Sequence, residues 1–162
     1  MNIGDIEINE NLFKKIMIVF IVLIGIFVFV LLASYAFLKP YTLSDDVKIS
    51  EGEIVQGVVI SQGNRMIELS GYSYKKGQKI DRFNSSFVLK NIGNGKMYKL
   101  KTSMQKNHDL MSVDGLYDCS NAGMIAKSLI MGLEHGIYEI CILYNNDGEN
   151  IFSQTGVMTE IK

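Results

Sequence analysis

The sequence is poor in the residue types from which most catalytic and metal centres are built. It holds two cysteines, two histidines and no tryptophan in 162 residues. His108 and His135 lie far apart, and neither has a second potential ligand at helical or loop spacing, so no metal site is expected. A Gly-x-Ser-x-Gly elbow, a phosphate-binding loop and a clear pair of carboxylates are all missing. Sixteen basic residues against seventeen acidic ones leave a net charge of −1, which does not support a strongly basic nucleic-acid binder. Internal repeats and low-complexity segments are absent too. The length excludes a multidomain enzyme. Eight Phe, eight Tyr and a 48% hydrophobic content exclude a disordered chain. No catalytic residue and no cofactor is expected.

What the chain does have is one long apolar run. From Ile16 to Leu38 there are 23 residues without a charge, and only Gly25 and Ser34 among them are not apolar. A helix rises about 1.5 Å per residue and a bilayer core is about 30 Å thick, so the run is long enough to span. A soluble helix would show a polar face, and this one has none. Lys14 and Lys15 precede the run and Lys39 follows it, which places the N-terminus in the cytoplasm and the rest outside. Ser34-Tyr35-Ala36 offers small residues for signal-peptidase cleavage after Ala36. Secretory apolar cores are much shorter, however, at about 7–15 residues. The expected organisation is a cytoplasmic tail (1–15), an uncleaved transmembrane signal anchor (16–38), a linker (39–46) and an extracytoplasmic domain (47–162). The segment has no ionisable residue to mark a transport path. Spaced small residues that would favour helix dimerisation are also lacking.

Beyond the linker the hydrophobic period changes to that of strands. Residues 53–60 and 65–74 are rich in β-branched and aromatic residues. Residues 86–91 and 96–102 flank Gly93-Asn94-Gly95, a tight-turn signal, and the second alternates with Tyr98 and Leu100 inward. Residues 103–121 read as the longest loop. Strands resume at 122–128 and 137–144, and Asn146-Asp147-Gly148 turns the latter into 150–161. About seven short strands without a soluble helix predict an all-β domain, an Ig-like β-sandwich, with a small β-barrel as the alternative. Leu133-x-x-Gly136-x-Tyr138 leads into the strongest strand. A Tyr there can return its hydroxyl to backbone just upstream and pin a sandwich corner.

The C-terminal stretch runs Ala122-Gly123-Met124-Ile125-Ala126, then Leu133-x-x-Gly136-x-Tyr138-x-Ile140-x-Ile142, then Asp147-Gly148 and Thr155. This pattern resembles the Ig-like β-sandwich modules appended to bacterial glycosyltransferases and glycerophosphotransferases of cell-surface polymers. Those modules show a Gly-Phe step, a Gly-x-Tyr-x-Ile strand and a terminal Thr-containing strand. Leu69-Ser70-Gly71-Tyr72 is similar to their early Gly-Trp strand, with Tyr for Trp. Asn107-His108-Asp109 stands where their loop often carries Arg-Pro-Asp. The resemblance spans residues 50–161 and implies a non-catalytic module that works beside envelope-polymer enzymes in contact with glycan. It carries over no catalytic residues.

An anchored β domain with Cys, His and Arg invites comparison with sortase-type transpeptidases, but the order is wrong. Cys119 lies in Tyr-Asp-Cys-Ser and Cys141 in Glu-Ile-Cys-Ile, neither after Thr-Leu-x-Thr, and Arg65 and Arg82 precede both. A disulfide between Cys119 and Cys141 is allowed outside the cytoplasm and would stabilise by about 3 kcal/mol. Strand parity puts Cys141 on the Glu139 face, opposite Tyr138, Ile140 and Ile142, so the pairing stays open.

Charge is unevenly spread. Lys75 to Lys106 holds nine basic residues and one acid, whereas Asn107 to the end holds two lysines and eight acids. One reading is a basic face, carried by Lys75, Lys76, Lys79, Lys99 and Lys101 beside Tyr72, Tyr74, Phe83 and Tyr98, that meets anionic polymer or lipid head groups. The other, preferred, is a set of outward lysines that keep a sheet soluble. The expected function is a bacterial, membrane-anchored, non-enzymatic accessory module at the cell envelope. Its partners would be membrane lipid, envelope polysaccharide or a membrane-bound polymer-synthesis enzyme, and not nucleic acid. The alternatives are an assembly subunit making protein contacts and an enzyme of unrecognised type.

Overall fold

The computed structural model describes residues 10–36, 38–110 and 117–162. Residues 1–9 of the expected tail, residue 37 of the apolar run and residues 111–116 of the long polar loop lie outside the described residues. The chain divides into two units, Met1–Ala36 and Phe37–Lys162.

The first unit contains one helix, α1 (Glu10–Ala36). Within its segment Asn11–Leu32 an 18-residue window has a mean hydropathy of 3.2, and none of that window is buried. Ile and Val are only moderate helix formers in water, so propensity does not explain the helix. In hydrocarbon the helix would be favoured, because every backbone N–H and C=O must there be satisfied within the segment. Twenty-two residues rise by about 33 Å, so α1 is long and apolar enough to cross a membrane.

The second unit is all β apart from two single 3₁₀ turns among its described residues. Its strands are β1 (Pro40–Tyr41), β2 (Lys48–Ile49), β3 (Ile54–Gln62), β4 (Met66–Lys75) and β5 (Ser86–Asn91). They continue with β6 (Met97–Lys99), β7 (Thr102–Gln105), β8 (Gly123–Leu129), β9 (Gly136–Asn146) and β10 (Glu149–Ile161). One sheet has six strands in the order β1-β6-β5-β9-β10-β2, and the other has four in the order β3-β4-β8-β7. Among the described strands only β2, beside β10, pairs in parallel. Ile67, Leu69, Met124 and Ala126 of the four-stranded sheet share one buried cluster with Phe87, Leu89, Ile140 and Ile142 of the six-stranded sheet. The two sheets therefore close on a common core.

Local chemistry accounts for the turns. In β9–β10 both Asp147 (φ 52°) and Gly148 (φ 87°) take positive φ, as a two-residue hairpin turn with the strand twist requires. Between β5 and β6, the buried Asn91 side chain accepts the N–H groups of Gly93 (2.8 Å) and Asn94 (3.2 Å), holding a longer turn. Where β3 and β10 run beside each other, Gln56 and Gln62 of β3 each donate a side-chain hydrogen bond of 2.8 Å, to the carbonyls of Gln154 and Glu160. Carbonyls on an open strand edge would otherwise invite another chain, and these two are capped from within.

The structure refines three points that the sequence left coarse or open. Residues 39–46, expected as a linker, contribute a strand: β1 pairs with β6, and Tyr41 and Leu43, with Val47 just beyond, cover a second cluster of Val88, Cys141, Leu143 and Phe152 on the outer face of the six-stranded sheet. The expected strand 96–102 is two strands in different sheets. The chain crosses at Leu100, which is buried in the core. Thr102 Oγ1 accepts from Phe87 N at 3.1 Å and donates to the Leu100 carbonyl, so it stitches the crossing. Finally, Cys119 and Cys141 are buried thiols that are not bridged. Cys141 lies under Tyr41 and Leu43, whereas Cys119 packs with Tyr74, Ile80, Leu110 and Ala122 in another cluster.

At the expected corner, Tyr138 is fully buried, and its hydroxyl donates to the Glu134 carbonyl at 2.8 Å. Leu133 is buried just upstream, and its N–H meets the Ile130 carbonyl. Gly136 opens β9 at φ 153°, where a Cβ would lie 3.3 Å from the Asn91 amide. Tyr138→Phe keeps the ring but strands that carbonyl, so chemical denaturation should show a loss of about 1 kcal/mol.

Candidate functional site

The residue pattern that stands out on the surface is glycine within strands. Gly57 and Gly71 lie inside β3 and β4 and Gly123 opens β8, although glycine in a strand weakens a sheet and marks a close approach. Register explains them. Gly57 pairs with Tyr72, Tyr72 with Gly123, and Gly123 with Gln105, so these four residues form one row across the four-stranded sheet. Tyr72 thus has glycine on both sides. Its ring lies over Gly57: a Cβ there would be 2.7 Å from Tyr72 Cε1. At Gly123 a Cβ would be 2.6 Å from the Gln105 carbonyl and 3.2 Å from Asn107 Cβ, so the chain leaving β7 folds close over the sheet.

The result is a groove of about 370 Å³ lined by Gly57, Val58, Val59, Ser70, Gly71, Tyr72, Gln105 and Asn107. Tyr72 is half-buried and stacks on the buried Tyr74, with centroids 6.2 Å apart and planes 24° from parallel. Asn107 is fixed by its own backbone, whose N–H donates to Ser120 O at 2.7 Å and whose carbonyl accepts from Leu110 N. Its Oδ1 accepts from Asp109 N at 3.2 Å, which ties the side chain to its own turn at the edge of the groove. None of the lining residues carries a charge.

The five lysines suggested by the sequence are not brought together on one sheet. Lys75 ends β4 and Lys76 and Lys79 follow it, whereas Lys99 belongs to β6 of the other sheet and Lys101 lies in the crossing beyond it. Two of them have acidic partners: Lys75 meets Glu149 at 2.7 Å and Lys79 meets Asp81 at 2.8 Å. Lys99 sits 5.7 Å from the Tyr41 ring centroid. Arg82–Asp147 and Lys96–Glu134 extend the pattern, so the acidic C-terminal stretch folds back on the basic middle one. Each exposed pair contributes little to stability.

Two titratable groups show how their surroundings set them. Burial, reinforced by nearby Glu139, pushes the Cys141 thiol up to about 12, which removes the thiolate that a nucleophile needs. Glu149 is lowered, first by its hydrogen bond from Lys75 and less by that from Gln78. A carboxylate whose folded pKa lies below its unfolded value adds stability above the unfolded value, near 4.5, and loses it as pH falls through the folded one. Stability should accordingly decline below about pH 4.5, and Glu149→Gln should make that decline shallower in urea titrations at stepped pH. Among the described residues no three His, Cys, Asp or Glu side chains converge as metal ligands.

Sequence reasoning singled out Tyr72 and the Asn107 loop separately but missed Gly57, Gln105 and Gly123 as their neighbours. Glycines inside otherwise good strands were the available signal. Comparison with known proteins finds no matching family model, no matching curated protein and no matching solved structure.

Proposed function

We propose that the chain is a single-pass membrane protein, with its N-terminus cytoplasmic and an extracytoplasmic Ig-like β-sandwich that serves as a non-catalytic accessory module for envelope polysaccharide. The groove around Tyr72 carries this reading, because it is a small uncharged depression with an aromatic floor and amides at its rim. Orientation is supported by Lys14 and Lys15 on the N-terminal side of the apolar segment. The Ig-like assignment draws on the two facing sheets and on the Tyr138 hydroxyl returned to backbone four residues upstream. The non-catalytic reading draws on the buried, high-pKa Cys141. The resemblance to modules of polymer-synthesis enzymes points the same way through Gly136-x-Tyr138-x-Ile140.

A second reading, an assembly subunit making protein contacts, is favoured by exposed apolar side chains on the same outer face. Val59 is 67% exposed and Met66 48%. Sedimentation separates the two readings. The full chain in lipid nanodiscs should co-sediment with envelope polysaccharide stripped of protein. If it stays in the supernatant at every polysaccharide concentration, the accessory-module reading is wrong.

A further inference from the structure

We infer that the groove around Tyr72 is a subsite for one or two uncharged sugar rings, stacked on the tyrosine and hydrogen-bonded by Gln105 and Asn107. This rests on the accessory-module reading and specifies its ligand.

Three observations on the groove select that chemistry. The first is the platform. With glycine at both cross-strand positions, no neighbouring side chain stands beside the Tyr72 ring in its row. The ring lies on Gly57 and is braced by Tyr74, so its position is set before any ligand arrives. One face of a pyranose presents C–H groups, which the negative face of an aromatic ring attracts while apolar area is buried. Such a stack tolerates no bulky substituent next to the ring, and the two glycines meet that requirement.

The second observation is the polar rim. Sugar hydroxyls both donate and accept, so a sugar site needs groups of both kinds. The Gln105 amide and the Ser70 and Tyr72 hydroxyls each offer both, and Asn107 Nδ2 adds a donor. Asn107 is held by Ser120, Leu110 and Asp109, so it is a fixed rim group and not a freely rotating one.

The third observation decides the charge of the ligand. An anionic polymer binds through lysine or arginine, yet none lines the groove. Lys75 and Lys79, beyond the end of β4, already face Glu149 and Asp81. The volume of about 370 Å³ lies at the small end of ligand sites, which limits occupancy to one or two rings. Single-site binding to a groove this shallow is weak, and useful affinity would come from many repeats along one polymer.

The test uses the full chain in lipid nanodiscs, because sugar-headed detergents would compete for the site. The probes are protein-free envelope polysaccharide, a panel of uncharged tetrasaccharides of glucose, galactose, mannose and N-acetylglucosamine, and poly(glycerol phosphate). Titration is followed by amide NMR, which also reports whether each variant is folded. At least one uncharged tetrasaccharide should shift the resonances of Gly57, Tyr72 and Gln105. Its affinity should hold within about twofold when salt is raised from about 0.05 to 0.5 M, because no ion pair is involved. Tyr72→Ala should weaken binding at least about tenfold, Tyr72→Phe by less than about threefold, and Gln105→Ala by about three- to tenfold. If polysaccharide binds wild type and Tyr72→Ala equally, the subsite is wrong and the module reading stands. Salt-sensitive binding of poly(glycerol phosphate) alone overturns the subsite in the same way. If the wild type binds none of the probes, both readings fall.

Discussion

Gly71→Ala should be among the most damaging single-methyl additions in the β domain, costing at least about 3 kcal/mol in chemical denaturation. A Cβ at this position would lie 2.1 Å from the Gly57 carbonyl oxygen and 3.2 Å from Val58 Cα. Both are backbone atoms, so no side-chain rotation relieves the contact. The strand itself must move, and β3 is paired to β4 along its whole length from Ile54 to Gln62. Shifting β3 also withdraws the Gln56 and Gln62 side chains from the β10 carbonyls. Gly63→Ala is the matched control, since its only near neighbour is the Met66 carbonyl at 3.9 Å, an ordinary contact. It should change stability by less than about 0.5 kcal/mol. Equal stability of the two variants would show that β3 and β4 do not approach as described, and the groove floor would go with them.

Phe87→Ala should cost about 3–5 kcal/mol, read from the urea midpoint at constant slope. Phe87 is fully buried in β5, which lies between β6 and β9, and its ring belongs to the cluster shared by both sheets. Removing it takes away the transfer free energy of a large side chain and leaves a cavity that well-paired strands cannot collapse into. The position has a second burden, because its N–H is satisfied by Thr102 Oγ1 at the point where the chain changes sheet. With total stabilities typically about 5–15 kcal/mol, a loss of this size consumes a large part of the reserve. Ile92→Ala, at a site 48% exposed, should lose less than about 1 kcal/mol. A Phe87 variant as stable as the Ile92 variant would contradict a core between the sheets.

These two positions also show what could be read in advance. Phe87 lies in a strand whose limits, 86–91, match β5 residue for residue, because a polar turn ends it and its residues favour strands. The same local signals located β3, β4, β8, β9 and β10 to within two residues. What escaped was set at long range. A two-residue strand such as β1 has no period of its own and exists because Tyr41 and Leu43 find Cys141 and Phe152, some hundred residues later, to cover. The crossing at Leu100 keeps the in-out alternation intact while the hydrogen-bonding partners change, so no local pattern marks it.

The groove was half legible for the same reason. Gly57, Gly71 and Tyr72 are visible as anomalies in two strands, but only the β3–β4–β8 register places Gly57, Tyr72 and Gly123 in one row. Charge was legible only as a linear pattern with two readings. A basic run followed by an acidic run suggests a patch, whereas antiparallel return of the chain sets Glu149 against Lys75 and Glu134 against Lys96. Linear charge segregation is then a record of which strands come back together, more than of what the surface binds.

The proposed topology puts the β domain on the extracytoplasmic side of a membrane crossed by α1, and thiol labelling measures that directly. Cys119 and Cys141 are fully buried, so the parent chain supplies little background. Val59→Cys, at an exposed site beside the groove, should react with a membrane-impermeant maleimide in intact cells as completely as after permeabilisation. Labelling that appears only once the membrane is opened would place the domain in the cytoplasm and contradict the account.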